Sequence, residues 1–239
     1  MGRYQIAMGS TVAIIQARMG SSRLPGKMMM ELSGIPIIEW VIRRVQRAAL
    51  LDDIVVATSE AAIDDELALV AKNLGVKVFR GSETDVLDRF VKAAEYSEAD
   101  AIVRICADNP LIDSGEIDRL IQDYKNGGAD YVCNHQDRLG SGYADGFGAE
   151  IFKFSILKSI SRAKLSQLHK EHVTLYFWDH RDQISVRSLQ APSALNFPKL
   201  KFDVDTIEDF LVLETLIENG VSITSKAIEI IKIAEAMHD

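Results

Sequence analysis

Five short apolar runs, separated by four segments of helical periodicity, fill the first 130 residues and leave few folds open. The runs are Val12 to Ile15, Ile54 to Thr58 (led in by Asp53), Val76 to Phe79, Ala101 to Cys106 and Asp130 to Cys133. Between them, Pro36 opens a helix whose apolar face is Ile37, Ile38, Val41, Ile42 and Val45. Further helices are predicted over Ala61 to Asn73, stopped near Gly75, and from a Thr84 cap to Tyr96. Another covers Ile117 to Tyr124, ended by Gly127 and Gly128. Parallel strands need crossover connections, which helices supply, so this alternation predicts an α/β fold: a mostly parallel, Rossmann-like sheet flanked by helices.

The alternation breaks after Asn134. A glycine-rich passage (Gly140, Gly142, Gly146, Gly148) leads to a strand near Ala149 to Phe152 and then a helix. Lys170 to Asp179 reads as helical and Gln183 to Leu189 as a strand. The span of about 133–194 is expected to form a small lid or dimerisation excursion from one domain covering 1–239. The core is expected to resume at Leu200 to Val204, followed by helices over Ile207 to Glu218 and Lys226 to Met237. No internal repeat, low-complexity tract or proline-rich linker interrupts the chain.

Composition narrows the classes of function. With 239 residues, 47% hydrophobic and 26% charged, the chain has enough apolar material for a sizeable core. A net charge of −8 argues against nucleic-acid or anionic-membrane partners. No apolar run approaches the roughly eighteen residues that span a bilayer. The start lacks the apolar core of a signal peptide. Cys106 and Cys133 both sit in strand-like runs and read as reduced core thiols, so a cytoplasmic location is expected.

Against that acidic background, no Asp or Glu precedes Glu31. The run Val12 to Ile15 empties into a loop of Gly20, Ser21, Ser22 and Gly26 that carries Arg18, Arg23 and Lys27. Backbone amides of such a loop close on phosphate oxygens, and three cations favour a polyanion, pointing to a nucleoside triphosphate. The loop is not a P-loop, because five residues separate Gly20 from Gly26 and Met28 follows Lys27. The competing reading is a flexible turn with solvated cations. Its position at a strand's C-terminal end, where open α/β sheets bind ligands, favours the phosphate reading.

A triphosphate needs a counter-charge, usually Mg²⁺ held by one or two carboxylates and phosphate oxygens. Asp108 follows the run IVRICA and precedes Pro110. Asp203 and Asp205 alternate with Phe202 and Val204, so both carboxylates are expected to leave one face of a strand. Helix capping is the alternative role for Asp205 or Thr206, and an Asx turn is the alternative for Asp108.

These residues resemble a known family. IIQARMGSSRLPGK, followed by the Ile-Pro helix, resembles the N-terminal signature of the cytidylyltransferases that make CMP-activated sugar acids. The branch it most resembles is the spore coat polysaccharide biosynthesis protein F group, related to the CMP-Kdo and CMP-sialic acid synthetases. The likeness continues through VVATSE, FRGSETDVLDRF, VRICADNPLID, EHVT and FDVDTIEDF, and so covers nearly the whole chain. It implies a GT-A-like nucleotidyltransferase fold, CTP and a sugar acid as substrates, Mg²⁺ as cofactor and a homodimer.

Residue by residue, the resemblance places Arg18 and Lys27 on the CTP phosphates, with Gly20, Ser21, Ser22 and Arg23 in support. Asp108 and Asp205 match the metal aspartates, with Asp203 beside them. Ala17, Thr58 and Ser59 fall where the family reads cytosine. The family usually carries Gly or Thr near Cys106, a departure that leaves a core thiol here. The implied chemistry is in-line attack of a substrate oxygen on the α-phosphorus with loss of pyrophosphate, its charge stabilised by cations rather than by a covalent intermediate.

Arg104, Glu150 and His172 are candidates for the acceptor pocket, as are Asp145 and Phe147. Arg104 either meets an acceptor carboxylate or pairs with a neighbouring acid. The HKEH run, with His169 and Glu171, matches neither zinc-protease motif and falls in the pocket, at a subunit seam or on a helix surface. Asp85, Asp88 and Arg89 share one helix face and read as a surface ion network. The aromatics of LYFWDH read as core or interface. Two other functions stay open: a nucleotide-sugar-dependent glycosyltransferase on a similar fold, and a non-catalytic nucleotide-binding partner.

Overall fold

The computed structural model describes residues 9–21, 23–134 and 138–237. From the N-terminus, β1 (Thr11–Gln16) enters the cation-bearing loop, a short hairpin of β2 (Glu31–Leu32) and β3 (Ile35–Pro36) follows, and Pro36 leads into α1 (Ile37–Val45). All five predicted apolar positions of α1 are buried. Then come β4 (Asp53–Ser59), a 3₁₀ turn at Ala62–Asp64, α2 (Asp65–Asn73), β5 (Lys77–Gly81), α3 (Val86–Tyr96), β6 (Ala101–Cys106), α4 (Ser114–Lys125) and β7 (Tyr131–Cys133). The remainder holds β8 (Glu150–Lys153), α5 (Phe154–Ile160), α6 (Gln167–Glu171), α7 (Leu175–Asp179), β9 (Val186–Ser188), α8 (Ile207–Glu218) and α9 (Ala227–Ala236).

Seven strands form one sheet in the order β5-β4-β1-β6-β8-β7-β9. Pairs β5/β4, β4/β1, β1/β6 and β7/β9 are parallel, and β8 alone runs against its neighbours β6 and β7. The predicted α/β class with a mostly parallel, helix-flanked sheet is the observed one. Alternation along β1 sends Ala13 and Ile15 into one apolar layer, with α1, α4, α8 and α9. Val12 and Ile14 enter the other, with α3, α5 and α7. Among the described residues, no helix is long and apolar enough to cross a membrane.

Several expectations need correction. The span 133–194 is woven into the sheet rather than set off from it, because β8 inserts between β6 and β7 and β9 forms an edge. Leu200 to Val204 is not a strand. It is an extended segment held by a single bridge from Lys201 to Asp145 and by the Val204 amide on the Asp108 carbonyl, 2.8 Å. Asp85, not Thr84, caps α3, its carboxylate accepting the Asp88 amide at 3.0 Å. The helix expected over Lys170 to Asp179 is two short ones, α6 and α7, broken at His172, whose backbone is extended.

Two polar anchors fix the loop after β6. Buried Arg44 donates to the carbonyls of Leu111, Ile112, Ser222 and Ile223. Asp113 caps α4 through the Glu116 amide at 3.0 Å and also accepts the Ala227 amide of α9 at 2.7 Å. One carboxylate thus staples two helix starts, where the macrodipole favours negative charge.

Candidate active site

The direction of chain growth reverses at β1: β4 and β5 add on one side, β6 and its neighbours on the other. The crevice beyond the C-terminal ends of β1 and β6 is therefore the switch point at which such sheets bind ligands. Four loops meet there, and each carries residues singled out from the sequence.

The loop after β1 folds around the Met19 carbonyl, which accepts the amides of Ser21 (2.8 Å) and Gly26 (3.1 Å). Gly26 has φ 75°, a left-handed conformation that suits glycine. Buried Asp64, from the turn after β4, pins this loop by accepting the Met19 amide (2.7 Å), the Ser59 amide (3.1 Å) and the Ser59 hydroxyl. Burial pushes the Asp64 carboxyl up, but the Ser59 hydroxyl and the Met19 amide outweigh it and hold it below its ordinary value. Sequence reading missed this clamp; its signal was an acid a few residues beyond a strand end.

Lys27 follows at the end of the loop and is only 8% exposed. Its Nζ donates to the Val204 carbonyl at 2.6 Å and lies 3.4 Å from Asp108 Oδ2 and 3.5 Å from Asp205 Oδ1. Residues 27, 108 and 205 therefore converge on one ammonium group. Arg23, exposed, reaches the other oxygen of Asp205 at 2.8 Å. Thr206 caps α8 in a capping box with Asp209, so the Asp205 side chain is not the cap. Arg18 turns towards the β5 side, its Nη1 donating to the Glu83 carbonyl at 3.3 Å.

The remaining predicted residues divide. Ala17, Thr58 and Ser59 are buried at the ends of β1 and β4, and the Ala17 amide donates to Ala57 at 3.3 Å. Gly20 lies near Glu83 and Ser21 Oγ accepts the Leu24 amide at 3.3 Å, while Ser22 lies outside the described residues. Asp203 stands off from Lys27, its Oδ2 lying 3.5 Å from Lys201 Nζ. Burial first, then nearby Asp145, push its carboxyl up to about 6. No strand face aligns Asp203 with Asp205, and no three His, Cys, Asp or Glu side chains among the described residues converge into a ready metal site. Asp108 and Asp205 offer two hard oxygen donors, part-exposed at the crevice mouth.

Across β1, Arg104 pairs with Glu150 at 2.6 Å and meets Gln16 Oε1 at 3.2 Å. Glu150 also accepts the hydroxyls of Tyr131 (2.6 Å) and Thr174 (3.1 Å). Arg104 thus makes the pairing with a neighbouring acid that is one of its two expected roles. Burial raises the Cys106 thiol to about 12, so it is no thiolate nucleophile at neutral pH. His172 is exposed at the end of α6, and His169 meets Asp179 at 2.9 Å. Phe147 packs in the core against Phe202.

Arg89 departs most from its expected role. Asp85 pairs with Lys170 at 3.1 Å and Asp88 with Lys92 at 2.9 Å, yet Arg89 is fully buried. Its Nη1 donates to the Ser82 carbonyl at 2.7 Å, while Nε and Nη2 have no acceptor.

A switch-point loop of glycine and cations, facing two aspartates delivered by the loop after β6 and the segment before α8, belongs to a nucleotidyltransferase. A profile of the cytidylyltransferase family matches residues 12–235. The spore coat polysaccharide biosynthesis protein SpsF of Bacillus subtilis (strain 168) is 36% identical over 218 residues, covering 89% of this chain and 88% of that protein. The 3-deoxy-manno-octulosonate cytidylyltransferase of Bdellovibrio bacteriovorus is 36% identical over 114 residues, covering 46% of this chain and 44% of that one. The structure of a cytidylyltransferase from Leptospira borgpetersenii superposes with a TM-score of 0.89 at 30% identity, covering 96% and 95% of the two chains. The chain belongs to the cytidylyltransferase family and is a CTP-dependent enzyme.

Proposed function

We propose that this enzyme transfers CMP from CTP to a sugar acid of the ulosonic or nonulosonic type, releasing pyrophosphate, in the synthesis of a surface polysaccharide. The observation that carries the reading is the Lys27 ammonium, buried at the switch point and shared by Asp108 and Asp205. The Bacillus relative's part in spore coat polysaccharide biosynthesis and the Bdellovibrio relative's 3-deoxy-manno-octulosonate cytidylyltransferase activity support this acceptor class.

On this reading Lys27 meets the phosphates from the crevice floor. Arg18 and Arg23, held by one neutral carbonyl and one exposed ion pair, are free to swing onto them. Such cations stabilise charge that grows on non-bridging and leaving oxygens. Asp108 and Asp205 fit a hard divalent cation, Mg²⁺, whose remaining ligands would be phosphate oxygens and water. When bound, that ion neutralises phosphate charge and lowers the pKa of an attacking hydroxyl. Ala17, Thr58 and Ser59 wall the cytosine side. Arg104, oriented by Glu150, lines the acceptor side, with His172 at the rim.

The test mixes protein, CTP and Mg²⁺ with a panel of sugar acids and follows pyrophosphate. Release that depends on one sugar acid is the expected result. Consumption of a nucleotide sugar without pyrophosphate would instead establish the glycosyltransferase alternative.

A further inference from the structure

The cytidylyltransferase chemistry needs a base selector, and none of Ala17, Thr58 and Ser59 presents a side chain that distinguishes cytosine from uracil. Ala17 has no polar side-chain atom, the Ser59 hydroxyl is committed to Asp64, and the Thr58 hydroxyl, buried and without a partner, can donate or accept and so does not separate the two bases. One group near them is conspicuously unused. Arg89, on the first turn of α3, packs its stem against Gly81, where an added Cβ would lie 3.2 Å from Arg89 Cγ. Its guanidinium is anchored by Nη1 alone. The two donors left over, Nε–H and Nη2–H, lie on the same edge of the plane. That edge is the fork with which arginine grips two adjacent acceptors.

Leaving a buried donor unmade costs about 1–3 kcal/mol, so an enclosed empty fork is expensive and calls for a reason. Its surroundings supply one. Burial first, then the charge of Arg18 close by, depress the Arg89 guanidinium, while Asp64 and Glu83 support it. These are residues of the loops that close over the ends of β1, β4 and β5. The contact from Arg18 to the Glu83 carbonyl spans from the β1 loop to the β5 loop, and so crosses the end of β4, where Thr58 and Ser59 sit.

We infer that Arg89 selects the base of the nucleotide, its Nε/Nη2 fork taking the O2 and N3 acceptors of cytosine. Cytosine presents those two acceptors side by side. Uracil presents O2 beside an N3–H donor, which opposes the fork. On this inference Arg18, strapped to the Glu83 carbonyl at the same end of the sheet, makes way for the base when the triphosphate recruits it. Asp64, which holds both the phosphate loop and Ser59, keeps the two halves of this device in register. The inference rests on the proposed cytosine position at Ala17, Thr58 and Ser59.

The test titrates wild type, Arg89→Lys and Arg89→Gln calorimetrically with CTP, UTP and tripolyphosphate. The Lys variant keeps the charge and loses the fork. CTP affinity should fall tenfold or more, while UTP and tripolyphosphate change less than threefold, so that the CTP preference collapses. An unchanged CTP-to-UTP ratio overturns the inference. Equal loss of all three ligands also overturns it, by assigning the fork to phosphate. A readout on the wild type covers variants that fail to fold: the Arg89 Nε–H resonance should shift and exchange more slowly with CTP and not with UTP. A resonance indifferent to CTP refutes the assignment, whereas a wild type that binds no CTP at all refutes the reading on which it rests.

Discussion

Lys27→Met tests the centre of the site, because one nitrogen serves both architecture and chemistry there. The substitution keeps the stem and removes the ammonium from between Asp108 and Asp205. The Val204 carbonyl loses a charge-assisted hydrogen bond of 2.6 Å, a class of contact worth about 1.5–3 kcal/mol. For a chain of this size that is a fall of roughly 3–12 °C in melting temperature. Loss of one preorganised donor to the developing charge costs about 10²–10³ in kcat. The assay is pyrophosphate release at saturating CTP, with melting followed in parallel. Lys27→Arg separates charge from geometry, since the wider guanidinium does not fit a position only 8% exposed and should not restore turnover. A Met variant that melts lower as expected yet keeps kcat within about threefold of wild type would refute the assignment, leaving Lys27 a purely structural clip.

Asp205→Asn should fold normally, since Thr206 rather than Asp205 caps α8, and should lose turnover; retention of full activity in the pyrophosphate assay removes Asp205 from the chemistry. Asp64→Asn should cost about 1–3 kcal/mol in urea unfolding at neutral pH, because a buried acceptor of three hydrogen bonds is altered. The Asp64 carboxyl lies below its ordinary value of 3.8, so its stabilisation is complete above that pH and is lost as pH falls through the folded-state value. The gap between wild type and variant should then close in acid, and a gap that widens there contradicts the clamp. Gly146→Ala should destabilise strongly, since φ is 100° and the new Cβ would lie 2.8 Å from the Phe202 carbonyl carbon; a melting temperature within a degree of wild type would show that the 145–146 turn relaxes.

The parallel half of the sheet was legible because each strand there is fed by a helix with a clear apolar face, as α1 illustrates. The strand near Ala149 to Phe152 was legible as β8, but its antiparallel place between β6 and β7 was not, because such a return needs no crossover helix to announce it. It begins with Glu150, a charge at a buried position. That charge is tolerated because Arg104 sits directly across the register of β6. The alternation of Asp203 and Asp205 was real but belonged to a segment with no ladder to join, so the two carboxylates went to different lysines. The convergence of Lys27, Asp108 and Asp205 was foreseeable from charge and strand-end position. The burial of Arg89 was not, since a cation at helical spacing from two acids looks solvated until Gly81 is seen to make room beneath it.

The contact between Lys27 and Val204 joins positions 177 apart in the chain. Half of the charge geometry thus arrives with the final quarter of the polypeptide, so a nascent chain carries its anion-gripping loop long before it can work. Turnover by this protein is consequently a report on docking of the last segment, and any agent that loosens that seam should silence the enzyme well before the sheet itself melts.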